Sequence, residues 1–295
     1  MPQRYLPKSE FYPAGFEGVT ARFVKVRSGV RVRVVESWPE GGKDGRESVV
    51  FLAGWGCSAY TFRKNIRPLA ERGMHVVAVE LVGQGGSDKP TDPEAYTLQS
   101  LTAQALEVLD ALGLERVSLV GHSLGGLVAA HVALAAPARV KKLVLIDPVG
   151  YGRVKFVRLA RSLPLWWGSF IPRVAGRRWI FALALRYAYG SIGTPTARDV
   201  DEYFAPARDP AFIRSLWSLL HEVDWSLLTS DELRALTMPL LVIFGGEDRL
   251  VSPRVAGRLA GEAPDARSII IPGAGHASVE EAPEAVNTVL GDFFN

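Results

Sequence analysis

Short apolar segments alternate with segments of helical periodicity along most of this chain, and the alternation restricts the folds it can adopt. Residues 47–54 and 74–80 are short apolar runs that end in turn residues, a pattern typical of strands buried on both faces. Residues 97–112 place leucine and alanine at helical spacing. Strands that alternate with helices predict an α/β fold with a mostly parallel, doubly wound sheet, because helical crossovers connect the strands and cover both faces.

The same pattern predicts the remaining elements. Residues 21–28 and 30–37 flank a Ser-Gly pair and predict an opening hairpin. Further strands are expected at residues 116–120, 142–146, 239–244 and 267–271. Helices are expected within residues 60–72, 123–136, 252–262 and 283–294.

The alternation is interrupted once, after the sixth strand. From Pro148 onward, residues 148–232 are rich in tryptophan, arginine, leucine and proline, and the alternation then resumes. A chain of 295 residues suits one α/β core that carries such an insertion. The expected domains are an N-terminal arm at 1–21, a core formed by 22–147 and 233–295, and a helical cap at 148–232.

Composition excludes several classes of protein. The net charge of +3 is too small to imply a nucleic-acid partner. One cysteine, Cys57, allows no intrachain disulfide, and no Cys/His cluster has the spacing of a metal site. The first residues lack the apolar core and cleavage site of a secretory signal, so we expect a cytoplasmic protein. The uncharged stretch at 117–138 has the length of a membrane span, but its glycines favour a strand, a tight turn and a buried helix.

Ser123 lies between glycines at the predicted junction of a strand and a helix. The segment Gly121-His122-Ser123-Leu124-Gly125 matches G-x-S-x-G, which acts as a nucleophile elbow in this context. Glycine permits the sharp turn, and the helix N-terminus stabilises negative charge near the serine. The alternative is that Ser123 only caps the helix, a common role for serine.

A serine hydroxyl needs a base to take its proton. Of the five histidines, His276 lies in a glycine-rich loop just after the last predicted strand, where it can reach the end of the sheet. We predict that His276 is the base. Asp248, which follows the strand at 239–244, is the predicted acid that orients it. Glu247 and Asp147 are the alternatives for that role.

Four motifs give the chain a resemblance to the α/β-hydrolase superfamily from about residue 22 to the end. GHSLGG, GGEDRLV and GAGH match the superfamily's nucleophile, acid and histidine motifs, and ELVGQGGS resembles its Asp-x-x-Gly-x-Gly-x-Ser turn with Glu80 in place of Asp. The resemblance implies an oxyanion hole formed by the backbone N–H groups of Trp55 and Leu124. Where the superfamily usually has His-Gly after the third strand, this chain has Ala53-Gly54.

The resemblance implies a serine hydrolase without a metal or organic cofactor. Together with the apolar insertion, it predicts cleavage of carboxylic esters of medium-sized hydrophobic substrates through an acyl-enzyme. The enzymatic alternatives are a carbon–carbon bond hydrolase of the meta-cleavage type and a lactonase with the same three residues. The alternative of another class is a hydrolase-like protein that binds a small ligand without turnover.

The cap has unusual charge and aromatic content. Residues 148–198 contain nine basic residues and no acidic one. Candidates for substrate contact are Trp55, His122, Trp166, Trp167 and Trp179. Residues 177–189, RRWIFALALRYAY, predict a helix with three alternative roles: it buries an apolar face over the site, it docks on anionic lipid at a membrane periphery, or its arginines recognise an acidic substrate. The sequence does not indicate an oligomeric state.

Overall fold

The computed structural model describes most of the chain. The described residues are 18–41, 47–150, 157, 161–164, 167, 171, 176–226 and 228–295. Most of the predicted arm at 1–21 lies outside them, as do Trp166 and several of the basic residues of the cap.

Eight strands form one sheet within the described residues. They are β1 (Thr20–Lys25), β2 (Arg31–Ser37), β3 (Ser48–Leu52), β4 (His75–Glu80), β5 (Val117–His122), β6 (Val140–Ile146), β7 (Leu240–Gly245) and β8 (Ala266–Ile271). Their order is β1-β2-β4-β3-β5-β6-β7-β8. Strand β2 is antiparallel to both neighbours, and every pairing from β4 to β8 is parallel. The predicted mostly parallel α/β sheet and its opening hairpin are confirmed.

Within the described residues, helices lie in the connections β3–β4, β4–β5, β5–β6, β6–β7 and β7–β8, and two more follow β8. They are α1 (Ile66–Glu71), α2 (Leu98–Ala111), α3 (Leu124–Ala135), α4 (Arg178–Ala188), α5 (Ala197–Phe204), α6 (Pro210–Glu222), α7 (Ser230–Ala235), α8 (Ala256–Glu262), α9 (Ser278–Glu281) and α10 (Pro283–Phe294). Helices α4 to α7 lie between β6 and β7, in the predicted insertion. The predicted helices at 60–72 and 252–262 each divide into a 3₁₀ turn followed by a short α-helix, α1 and α8.

The sheet is covered on both faces because side chains alternate along its strands. On β3, Val50 and Leu52 belong to the cluster that contains α2 and α3, whereas Val49 and Phe51 belong to the cluster that contains α1 and α10. This doubly wound arrangement leaves the carboxyl ends of the parallel strands as the edge at which loops can form a site.

The uncharged stretch at 117–138 consists of β5, a tight turn and α3, as the glycines indicate. In the part of the chain that the structure describes, none of the helices combines the length and apolar character that crossing a membrane requires.

Helix α4 has one packed side and one exposed apolar side. Only Leu185 of this helix is buried. Trp179, Leu183 and Tyr187 are 59%, 61% and 53% exposed, respectively. The opposite side of α4 is packed: Leu185 lies in a buried cluster with Tyr189 and with Ala277, the residue after His276, and Phe181 contacts Phe204 of α5. The helix therefore buries one apolar side next to the histidine loop, as one of the alternatives expects, and exposes a second.

Candidate active site

Ser123 occupies a strained turn between β5 and α3. Its φ of +54° lies in the left-handed region, which non-glycine residues rarely adopt. The flanking glycines are required, because a Cβ at Gly121 would lie 2.3 Å from the carbonyl oxygen of Gly125, and a Cβ at Gly125 would lie 2.1 Å from that of Leu52. The Ser123 side chain makes no capping hydrogen bond to α3, so the alternative of a simple helix cap does not describe it.

His276 connects Ser123 to Asp248. The Nε2 atom of His276 lies 2.9 Å from Oγ of Ser123, and its Nδ1 atom lies 2.7 Å from Oδ2 of Asp248. The other carboxylate oxygen of Asp248 accepts hydrogen bonds from the backbone N–H groups of Leu250 and Val251 at 2.7 and 2.9 Å. The carboxylate is thereby fixed by its own loop while it orients the imidazole.

The two alternative acids have other partners. Glu247 accepts a hydrogen bond from Oγ of Ser191 at 2.7 Å. Asp147, with a φ of +46°, accepts one from the backbone N–H of Gly245 at 2.7 Å and one from Oγ of Ser278 at 2.6 Å. Asp147 thus ties the end of β7 to the segment after His276 and acts as a positioning residue rather than as the partner of the imidazole.

Charges around the site shift the pKa values of both buried histidines. Burial lowers the pKa of His276, but the charge of Asp248 and its hydrogen bond outweigh burial and raise that pKa above its ordinary value. Burial, reinforced by the neighbouring His276, lowers the pKa of His122 to about 4. Burial also raises the pKa of Asp147. Because its pKa is about 4, His122 is neutral at pH 7.

His122 contacts the catalytic candidates rather than open space. Because a carbonyl can only accept, Nε2 of His122 donates to the backbone oxygen of His276, 2.9 Å away. Its Nδ1 atom is buried, and a Cβ on Gly54 would lie 3.1 Å from that atom. The structure places His122, predicted to contact substrate, as a support for the His276 backbone.

The loop after β3 packs against Ser123 at Gly54. A Cβ on Gly54 would lie 2.9 Å from Cβ of Ser123, so the loop reaches the serine because residue 54 is glycine. Leu124, the other candidate donor, is the first residue of α3, whose first N–H groups have no partner within the helix. Gly54, which precedes Trp55, therefore lies against Ser123, and Leu124 follows Ser123 in the chain. The oxyanion hole formed by the N–H groups of Trp55 and Leu124 stays a prediction.

Gln84 supports the loop that follows Gly54. Its Oε1 atom accepts a hydrogen bond from the backbone N–H of Gly56 at 2.7 Å. Glu80 accepts another from the N–H of Ala59 at 3.0 Å, and the indole N–H of Trp55 donates to the carbonyl of Leu216 on α6 at 3.0 Å. Sequence analysis missed Gln84, although it lies within the ELVGQGGS motif.

The cap is attached directly to the loop of His276. The backbone N–H of His276 donates to the carbonyl oxygen of Ala188, the last residue of α4, at 2.7 Å. The carboxylate of Glu281 accepts hydrogen bonds from the N–H groups of Gly190 and Gly275, both at 2.8 Å. A Cβ on Gly190 would lie 2.2 Å from the carbonyl oxygen of Gly273. Glu281, also missed in the sequence, therefore joins the cap and the histidine loop.

The aromatic candidates divide between the site and the surface. Trp55 packs against a buried cap cluster of Val157, Trp217 and Leu220. Trp167 is 40% exposed, and Trp179 lies on the exposed face of α4. Trp166 lies outside the described residues. Among the residues that the structure describes, no group of three or more His, Cys, Asp or Glu side chains could hold a metal ion.

Known proteins resemble the chain over most of its length. A family model described as the alpha/beta hydrolase fold matches residues 47–283. A pimeloyl-[acyl-carrier protein] methyl ester esterase from Edwardsiella ictaluri is 30% identical over 258 residues, which cover 84% of this chain and 93% of that protein. A 2-hydroxy-6-oxononadienedioate/2-hydroxy-6-oxononatrienedioate hydrolase from Cupriavidus pinatubonensis is 31% identical over 286 residues, covering 94% and 96%.

A solved structure shows the same fold. The crystal structure of a serine hydrolase involved in carbazole degradation superposes with a TM-score of 0.78 at 22% identity, covering 94% of this chain and 98% of that one.

Proposed function

Because the chain belongs to the α/β-hydrolase family, we propose that this hydrolase cleaves carboxylic esters of medium-sized hydrophobic substrates. The observation that carries the proposal is the hydrogen-bonded line from Asp248 through His276 to Ser123, with distances of 2.7 and 2.9 Å. This geometry provides a serine with a base and provides the base with a carboxylate.

Each step of the reaction uses a residue of this site. His276 takes the proton of Ser123 as Oγ attacks the ester carbonyl, and the backbone N–H groups of Trp55 and Leu124 stabilise the oxyanion. His276 then returns the proton to the departing alcohol, which leaves an acyl-enzyme. Water, deprotonated by the same imidazole, attacks the acyl group and the bond from the acyl carbon to Oγ breaks. His276 returns the proton to Oγ, which releases the acid and regenerates the serine hydroxyl.

The packing of Trp55 on the cap supports an apolar substrate. Trp55 contacts the buried cap cluster of Val157, Trp217 and Leu220. An apolar cap beside Ser123 and Trp55 supports a substrate with an apolar acyl or alcohol group over a sugar, because buried hydroxyls would need polar partners.

Turnover of p-nitrophenyl esters of short and medium acyl chains tests the proposal. We expect wild-type turnover and a loss of about 10⁴-fold or more in Ser123→Ala, because the variant has no nucleophile. Ser28→Ala, a substitution in the exposed turn of the opening hairpin, is the matched control and keeps full activity. A lactone, being a cyclic ester, is included in the same panel. Ser123→Ala with undiminished activity contradicts the proposed role of the serine.

A second candidate function is hydrolysis of a carbon–carbon bond in a vinylogous diketone. It is favoured by the relative from Cupriavidus pinatubonensis, whose similarity covers 94% of this chain. Loss of the ultraviolet absorbance of a dienone substrate, with no ester turnover, would support this reaction over the first. Tight binding of such compounds without turnover of any of them would contradict both and identify a binding protein.

A further inference from the structure

Helix α4 presents a row of large apolar side chains on its surface. Trp179, Leu183 and Tyr187 are spaced four residues apart, so they lie on one side of the helix. Each is more than half exposed. We call these three residues the α4 face. Ile192, just beyond the helix, is also 53% exposed. Because soluble proteins rarely cluster exposed apolar side chains in this way, the α4 face indicates an interaction surface.

Positive charge flanks the α4 face. Arg177 precedes the helix, Arg186 lies in its last turn, and both are exposed. The acidic groups of the neighbouring α5 are engaged by other arginines, in the ion pairs Asp199 with Arg63, Asp201 with Arg178, and Glu202 with Arg198. Arg177 and Arg186 therefore place positive charge at the two ends of α4 that these acids do not neutralise, while Glu247 lies farther along, near Ile192, where it accepts a hydrogen bond from Ser191.

We propose that the α4 face docks on an anionic membrane surface. Tryptophan and tyrosine favour the boundary between headgroups and acyl chains, and flanking arginines favour anionic lipid. A second copy of the chain fits less well, because a twofold contact between two α4 faces would bring arginines of like charge together. The proposal goes beyond ester hydrolysis and does not depend on it.

Docking through α4 would orient the candidate active site relative to the membrane. The carbonyl of Ala188, at the end of α4, accepts the hydrogen bond of the His276 N–H. The docked helix and the histidine loop are thus joined through the backbone, and a bound molecule would hold its cap side against the lipid.

Cosedimentation of the full chain with vesicles tests the proposal. We expect binding at low salt to vesicles of phosphatidylcholine mixed with phosphatidylglycerol, and weaker binding to pure phosphatidylcholine or at high salt. Leu183→Ser/Tyr187→Ser should bind at least about tenfold more weakly, since it removes apolar contact. Arg177→Gln/Arg186→Gln should lose about fivefold per arginine.

Matched variants carry equal changes elsewhere. Phe23→Ser/Ile270→Ser removes two apolar side chains that are 51% and 44% exposed on β1 and β8, and Arg116→Gln/Arg254→Gln removes two exposed arginines outside the cap. Both should bind vesicles like the wild type. Unchanged thermal unfolding of each variant shows that its fold is intact.

Three results would overturn the proposal: no binding at low salt, equal binding by the α4 variants, or a dimer in light scattering that Leu183→Ser/Tyr187→Ser makes monomeric without any binding to lipid. Ser123→Ala should bind vesicles like the wild type, so failure of ester hydrolysis and failure of docking are distinguished.

Discussion

Helices α3 and α4 are both rich in apolar residues and both adjoin the candidate site, yet they are packed in opposite ways. Helix α3 begins directly after Ser123 and buries nine of its 12 residues, whereas α4 ends at the loop of His276 and buries only Leu185 of 11. The difference follows from side-chain size. Glycine and alanine let α3 approach the sheet closely, as at Gly125, whereas α4 carries tryptophan, tyrosine and arginine and packs only along one side. Apolar content alone therefore does not tell a core helix from a surface helix.

The largest predicted effect concerns Asp248, which belongs to the core and not to the cap. Asp248→Asn should lower kcat by about 10⁴-fold, or about 5.5 kcal/mol, because the amide no longer stabilises the imidazolium or fixes its tautomer. Activity needs a neutral His276, so wild-type activity is lost as pH falls through its raised pKa. Without the carboxylate charge, burial lowers that pKa, and the acid limb of kcat/KM moves to lower pH.

The pH dependence of kcat/KM for both proteins checks this prediction. Asp231→Asn, which changes an exposed carboxylate on α7, serves as the control and should match the wild type. An acid limb that moves to higher pH in Asp248→Asn would show that the carboxylate does not set the pKa of His276.

The next prediction compares the two helices directly. Leu127→Ala on α3 should lower the free energy of unfolding by about 2–5 kcal/mol, because it leaves a cavity at a fully buried position. Leu183→Ala on α4 should change it by no more than about 0.5 kcal/mol. Both substitutions replace leucine with alanine inside a helix, so the change in helix propensity is the same in both. The difference between their free energies of unfolding, measured with denaturant, therefore reports packing. Equal losses would mean that the α4 face is covered in solution.

The smallest predicted effect on catalysis concerns Gln84. Gln84→Met keeps the volume but leaves the N–H of Gly56 without its acceptor, at a cost of about 1–3 kcal/mol. We expect kcat to fall about tenfold to 100-fold with little change in KM, because the proposed oxyanion donor, the N–H of Trp55, lies in this loop and would act mainly in the transition state. Gln99→Met, at an exposed position on α2, is the matched control. A rise in KM alone would place Gln84 in substrate binding instead.

The sequence predicted the sheet well because its signals are local. Apolar strands of fixed period and turn glycines mark the strand ends, and the last helix, α10, has the predicted bounds Pro283–Phe294. The expectation that Ser123, Asp248 and His276 lie near one another follows from the same logic, since each follows a parallel strand. The structure brings them within hydrogen-bonding distance.

The remaining features depend on contacts that no local pattern contains. Gln84 was missed because its partner is a backbone N–H 28 residues away. Glu281 was missed because it binds two backbone groups of different loops. The choice among the predicted roles of α4 depends on such contacts too, because a helical period reveals an apolar face but not whether the rest of the chain covers it.

The contact of Gly190 with Gly273 and Gly275 also determines where the insertion of this enzyme can be exchanged. Any side chain at Gly190 would push the cap away from the histidine loop, since a Cβ would lie 2.2 Å from a backbone oxygen. A chimaera that takes its cap from a relative should therefore keep residues 188–192 and Glu281 from one parent. Side-chain changes intended to alter specificity then belong on α6, because Trp217 and Leu220 of this helix pack against Trp55 without forming this junction.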